Sequence, residues 1–149
     1  MKRFLFFGLI MLSIAAAAQS SKQVKWAYSS KKIADKTYEV HFTATINGSW
    51  HLYSQNGGDG PISTNFTFTK NPLLATNGPV KEVGKMKKVY EQAFKSEVRY
   101  YENSVDFVQT VKLKSNAKTN LAGKVEFMVC NDHECLPPAD LDFSVNVGG

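Results

Sequence analysis

The sequence predicts an all-β domain, an antiparallel sandwich of short strands, and three observations carry that prediction. Segments of alternating apolar and polar residues recur along the chain, with turn signals about every ten residues. The composition suits a pleated, half-buried surface, with ten Phe, six Tyr and many Val and Thr. No stretch shows a convincing helical period. Roughly seven or eight strands of this kind give a sandwich of immunoglobulin-like shape. The inter-sheet Cys…Trp…Cys pattern of antibody domains is absent, because Cys130 and Cys135 sit together in one short segment.

Residues 1–18 read as an export signal. Lys2 and Arg3 open it, Phe4 to Ile14 form an apolar run too short to span a bilayer comfortably, and Ala15 to Ala18 supply the small residues of a cleavage site before Gln19. No cysteine stands near that site, which argues against a lipoprotein. The expected mature domain is 19–149, long enough to bury a core without cross-links. Losing Lys2 and Arg3 takes the formal charge from +5 down by two, and the remaining Lys residues are scattered. That mild basicity is no nucleic-acid signature, and no second apolar stretch of spanning length follows.

Gln19 to Lys25 is polar and expected to fray. Trp26 to Tyr28 is a short first strand. Thr37 to Ile46 is the clearest strand: Tyr38, Val40, Phe42, Ala44 and Ile46 face one way, and Glu39, His41, Thr43 and Thr45 the other. Asn47-Gly48 signals a turn. Trp50 to Ser54 is extended, and Gln55 to Pro61 (Q-N-G-G-D-G-P) reads as a loop. Thr64 to Thr69 is a strand ended by Pro72. Leu73 to Lys88 reads as irregular, with a basic cluster of Lys85, Lys87 and Lys88, and Val89 to Tyr101 is ambiguous. Val105 to Leu113 alternates, a polar turn covers Lys114 to Asn120, and Val125 to Cys130 and Leu141 to Val147 are the last strands.

The chemistry concentrates in Val125 to Pro138, V-E-F-M-V-C-N-D-H-E-C-L-P-P, which holds both cysteines of the chain. Val125, Phe127 and Val129 share one strand face, and Glu126, Met128 and Cys130 the other. Pro137 and Pro138 forbid helix and keep the exit extended. A bridge closing so short a loop stabilises by only roughly 2 kcal/mol in the loop-entropy account, against about 4.7 for a loop of about 100 residues. A fold in need of a clamp does better by joining distant strands, yet structural hairpin bridges exist. The spacing leaves a redox pair and a staple both open. Asp132 and Glu134 between the sulfurs disfavour a thiolate, whereas a charged His133 favours one. A thiol kept protonated suits a carrier that reacts only when docked. With His133 the cysteines also spell C-x-x-H-x-C, but no second ligand pair accompanies them and so tight a turn rarely gives tetrahedral geometry, so no metal and no cofactor is expected.

M-V-C-N-D-H-E-C-L-P-P, together with G-S-W-H-L-Y-S-Q and G-P-I-S-T upstream, resembles the N-terminal (alpha) domain of the bacterial thiol:disulfide interchange protein DsbD, over roughly Val24 to Val147. The resemblance implies an immunoglobulin-like periplasmic domain that relays electrons by thiol–disulfide exchange. It implies partners as well: a membrane electron donor of the DsbD or CcdA type acting through a thioredoxin-like domain, and thioredoxin-like periplasmic proteins, including disulfide isomerases and reductases of cytochrome c biogenesis, as acceptors. It gives Cys135 the mixed disulfide with partners and Cys130 its resolution. It also implies a cap loop bearing an aromatic residue, here within Tyr90 to Lys95, with Tyr90 and Phe94 on either side of Gln92, and an aromatic pair beside the cysteines that falls on His51 and Tyr53. The chain departs from that pattern in three ways. His51 is not a phenol, the inter-cysteine loop has four residues where relatives have five, and no transmembrane or thioredoxin-like segment follows, so electrons are expected from a separate protein.

Simpler readings stand beside these. His51 reads as a half-buried strand residue, Tyr53 as core, His41 as a solvated residue on a polar face, and the Lys85–Lys88 cluster as a soluble loop able to steer acidic partners. Two classes of function follow. One is a thiol:disulfide interchange component acting on proteins; the other is a secreted immunoglobulin-like binding module whose disulfide only shapes a loop.

Overall fold

The structure, a computed structural model, describes residues 17–149. Apart from Ala17 and Ala18, the predicted export signal lies outside the described residues. A short helix, α1 (Ala17–Gln23), is followed by eleven strands: β1 (Val24–Ala34), β2 (Thr37–Ile46), β3 (His51–Gly58), β4 (Asn65–Phe68), β5 (Leu74–Gly84), β6 (Lys87–Glu91), β7 (Ser96–Tyr101), β8 (Ser104–Leu113), β9 (Thr119–Phe127), β10 (Val129–Cys130) and β11 (Ala139–Val147).

All pairings of these strands are antiparallel. They form three sheets, ordered β1-β2-β8-β5, β11-β9-β4 and β10-β3-β7-β6. The first two face each other across the main core. β2 contributes Val40, Phe42, Ala44 and Ile46, β8 contributes Val105, Phe107, Val111 and Leu113, and β9 and β11 answer with Leu121, Val125, Phe127, Phe143, Val145 and Val147, all buried. The alternation read from the sequence sets these faces. Aromatic rings carry the centre: Phe42 lies 5.0 Å from Phe66 and 4.7 Å from Phe143 between ring centroids.

The third sheet has two working faces. Leu52, Tyr101 and Val129 point into the main core. Tyr53, Val98 and Cys130 point away from it and form a second, small cluster with Val89, Phe94, Tyr100 and Met128. The cystine therefore belongs to a separate patch of packing.

Several expectations are corrected. The polar lead-in is helical, and Ser20 is buried with its hydroxyl donating to the Pro137 carbonyl. β1 runs far beyond Tyr28, because its backbone pairs along the whole of β2 even where its side chains are exposed. Gln55 to Gly58 continues β3, with a register shift between Tyr53 and Gly58 absorbing the glycines. Leu73 to Lys88 is ordered into β5 and the start of β6, and the ambiguous 89–101 segment is a hairpin of β6 and β7. Glu82 explains part of that order. Its carboxylate accepts from Ser54 Oγ (2.8 Å), the Gln55 N–H (2.6 Å) and Tyr101 Oη (2.6 Å), tying β5 to β3 and β7. His41 is no solvated bystander: Nδ1 lies 2.7 Å from Asp106 Oδ2. Lys87 and Lys88 are on a strand, paired with Glu102 at 2.6 Å and Glu97 at 3.0 Å.

Candidate redox site

The predicted strand Val125 to Cys130 is two strands. It breaks at Met128, where the chain leaves the β11-β9-β4 sheet and joins β3 of the third sheet. Met128 Sδ accepts the Ile62 N–H at 3.4 Å at this crossing. Across the break the alternation continues, with Val129 in the main core and Cys130 in the small cluster.

Cys130 and Cys135 are directly opposed across a tight antiparallel return and joined by a disulfide. Two backbone bonds close that return: the Asn131 N–H donates to Glu134 O at 2.9 Å and the Leu136 N–H to Val129 O at 3.0 Å. Asn131 does the rest. Its side-chain carbonyl accepts from the His133 and Glu134 amides, each at 2.8 Å, an Asx-type turn that fixes four residues without helix. Sequence reading passed over Asn131, although an Asn opening a short loop is a usable turn signal.

The two sulfurs differ in surroundings. Cys130 is 2% exposed, packed with Tyr53 and Val98, whereas Cys135 is exposed. Asp132, His133 and Glu134 are also exposed. Both cysteines and this loop line a cleft of about 200 Å³ with His51, Glu91, Ala93 and Phe94. A larger groove of about 550 Å³, between Phe68–Thr76 and Lys114, is lined by no cysteine, histidine or carboxylate.

The opposite wall of the cleft is the β6–β7 turn, Gln92 to Lys95, closed by the Phe94 N–H donating to Glu91 O at 3.3 Å and Lys95 in the left-handed region (φ 52°). Phe94 is half-buried and meets the Tyr53 ring edge-on at 6.2 Å. Gly60 (φ 113°) backs it, and a Cβ there would stand 2.6 Å from the Phe94 ring. Tyr90, the other aromatic candidate, is 61% exposed and does not line the cleft. A reagent reaching Cys130 past Phe94 must displace a half-buried phenyl worth roughly 1–1.5 kcal/mol, whereas Cys135 is exposed. Phe94→Ala is accordingly expected to speed alkylation of reduced Cys130 by iodoacetamide about tenfold, and Tyr90→Ala to leave it unaltered, both followed by mass spectrometry.

His51 stands directly across from Cys130 in the register of β3 and β10. It is 6% exposed, stacked on Tyr100 at 4.1 Å, with Nε2 3.2 Å from Tyr53 Oη. Tyr53 is fully buried and sits with the cystine through the small cluster. Burial pushes the Tyr53 phenol well up and raises Tyr100 too, so both are neutral hydrogen-bonding groups. Burial pulls the His51 imidazole below its usual range, against the opposing pull of Glu91, Glu102 and Asp132. The unfolded chain therefore binds a proton near pH 6.5 that the folded chain refuses. The associated stability is present above about pH 6.5 and is lost as pH falls through the lower folded value. Urea midpoints across this acid range should fall less steeply in His51→Gln than in the parent.

Among the described residues no group of three or more His, Cys, Asp or Glu could hold a metal ion, and no helix is long and apolar enough to cross a membrane.

Fold and site together define a class: an antiparallel sandwich domain that presents a cystine, one sulfur buried and one exposed. The chain belongs to the family described as thiol:disulfide interchange protein DsbD, N-terminal, whose pattern matches residues 16–146. Membership supports a thiol–disulfide interchange role with thioredoxin-like partners, and the family is periplasmic. The fold is similar to the N-terminal domain of Neisseria meningitidis DsbD in its reduced form, at 15% identity and a TM-score of 0.56 over 87% of this chain and 89% of that one. It is also similar to the N-terminal periplasmic domain of Proteus mirabilis ScsB, at 15% identity and a TM-score of 0.55 over 80% of this chain and 44% of that one. The immunoglobulin-like sandwich expected from the sequence is thus the fold of the chain. No curated protein matches it.

Proposed function

We propose that the chain is an exported periplasmic relay that passes electron pairs between thioredoxin-like proteins through Cys130 and Cys135. The observation that supports this most directly is the asymmetry of the cystine, an exposed Cys135 bonded to a buried Cys130. A thiolate of a reduced thioredoxin-like domain, fed by a membrane donor of the DsbD or CcdA type, attacks Cys135 Sγ. The Cys130–Cys135 bond breaks and Cys130 leaves with the electron pair. The donor's second thiolate then attacks its own sulfur in the mixed disulfide and frees Cys135. In the second half, the Cys135 thiolate attacks the disulfide of an oxidised thioredoxin-like acceptor, such as an isomerase or a reductase of cytochrome c biogenesis. Cys130 closes back onto Cys135 and the acceptor departs reduced. The cleft wall carrying Phe94 shields Cys130, and the exposed Asp132, His133 and Glu134 present the contact surface.

Equilibration of the purified domain with glutathione or thioredoxin buffers tests this. The relay requires a reduction potential in the range of exchanging proteins, roughly −180 to −270 mV. A value below about −300 mV would mark a structural bond and favour the binding-module alternative.

A further inference from the structure

Cys130 is 2% exposed in a cluster with Tyr53 and Val98, against which Phe94 and Met128 pack. A thiol in such surroundings resists ionisation. Yet each catalytic cycle requires it to act as a nucleophile on the mixed disulfide, and exchange proceeds through the thiolate. Some group within the pocket must take its proton. Directly opposed residues of an antiparallel pair place their Cβ atoms about 4.5–5.5 Å apart on one face. The residue opposed to Cys130 is His51, and both line the same cleft.

We propose, resting on the relay reading, that His51 is the proton acceptor of Cys130. As Cys130 attacks Cys135 Sγ, its S–H bond breaks and the proton passes to the imidazole. The freed electron pair forms the Cys130–Cys135 bond. The bond from Cys135 to the partner breaks, and the partner sulfur leaves as a thiolate. In the opposite half of the cycle Cys130 is the leaving group and the imidazolium returns the proton. The partner's own disulfide or dithiol balances the electrons.

The surroundings fit this task. Tyr53 Oη holds Nε2 at 3.2 Å and Tyr100 stacks on the ring at 4.1 Å, so the ring orientation is fixed. Burial and Lys87 on β6 keep the imidazole neutral and able to accept. Glu91 on β6, Glu102 after β7 and Asp132 in the inter-cysteine loop oppose them and stabilise the imidazolium once it forms. The phenols of Tyr53 and Tyr100 stay protonated beside it.

The test uses the reduced protein and glutathione disulfide in a rapid-mixing experiment from pH 5 to 9. The first phase is glutathionylation of Cys135, and the second is release of that glutathione as Cys130 closes the ring. His51→Gln is expected to slow the second phase about a hundredfold relative to the first at neutral pH, and to remove an acid-side inflection from its pH profile. An unchanged ratio of the two phases overturns the proposal. Should the variant fail to fold, the parent protein decides: the His51 ring titration, followed by NMR, is expected to move between oxidised and reduced states because thiol and imidazole then share a proton. Identical midpoints overturn the assignment. A parent protein without a first phase would overturn the relay reading itself, which is a separate failure.

Discussion

Reduced Cys130→Ser is expected to accumulate a nearly stoichiometric mixed disulfide with a single-cysteine thioredoxin-like protein carried as its thionitrobenzoate disulfide, thionitrobenzoate leaving as the thiolate, and Cys135→Ser to accumulate none. Non-reducing electrophoresis and mass spectrometry read the outcome. The reason is access. Cys135 is exposed at the end of a four-residue turn, and a docking protein meets it first. Cys130 is 2% exposed and packed with Tyr53 and Val98, with Phe94 on the cleft wall beside it. An incoming disulfide reaches Cys130 only after that cluster opens, and local opening of packed side chains populates a small fraction of molecules. Replacing Cys130 leaves the attacking sulfur in place and removes the one that would end the encounter. Replacing Cys135 leaves a sulfur with nothing able to approach it. Equal capture by the two variants would mean that burial does not set the order of attack, and the two cysteines would lose their assigned parts.

That asymmetry was only half legible in the sequence. Period-two patterning defined β2, β8 and β11 and put Phe42, Phe107 and Phe143 inside, because each of those strands packs one face on the core and leaves the other in water. The same rule separated Val125, Phe127 and Val129, which all join the main core, from Met128 and Cys130, which share the small cluster, but it read one strand where the chain changes sheets at Met128. A crossover of this kind leaves no mark in local periodicity. β5 and β6 were missed for a related cause. Their side chains are mostly exposed, so no alternation appears, and their order comes from backbone pairing with β8 and β7 and from the Glu82 anchor, both set by distant parts of the chain. His51 and Tyr53 were placed at the site through resemblance; the opposition of His51 and Cys130 is a matter of register that neither residue announces. Between Tyr90 and Phe94 the sequence offered no choice, because a four-residue turn decides which aromatic faces inward.

A carrier of electron pairs must remain folded in both redox states, so its stability has to reside away from the bond it breaks. The packing is divided in that way. Phe42 is fully buried among Tyr28, Phe66, Phe68 and Phe143 in the main core, while Cys130 belongs to the small cluster on the outer face of the third sheet. Truncating a buried Phe to Ala costs about 3–5 kcal/mol, a large share of the roughly 5–15 kcal/mol that holds a domain together. Opening a ring as short as that between Cys130 and Cys135 costs about 2 kcal/mol at most. Urea unfolding of the oxidised parent, the reduced parent and oxidised Phe42→Ala should therefore rank them in that order, with reduction moving the midpoint about half as far as the Phe42 truncation or less. Unfolding slopes that stay alike would show that the change is in stability alone. If reduction instead unfolds the chain as severely as Phe42→Ala, the cystine is a structural member of the fold, and a protein that loses its structure whenever it accepts electrons cannot serve as the relay proposed above.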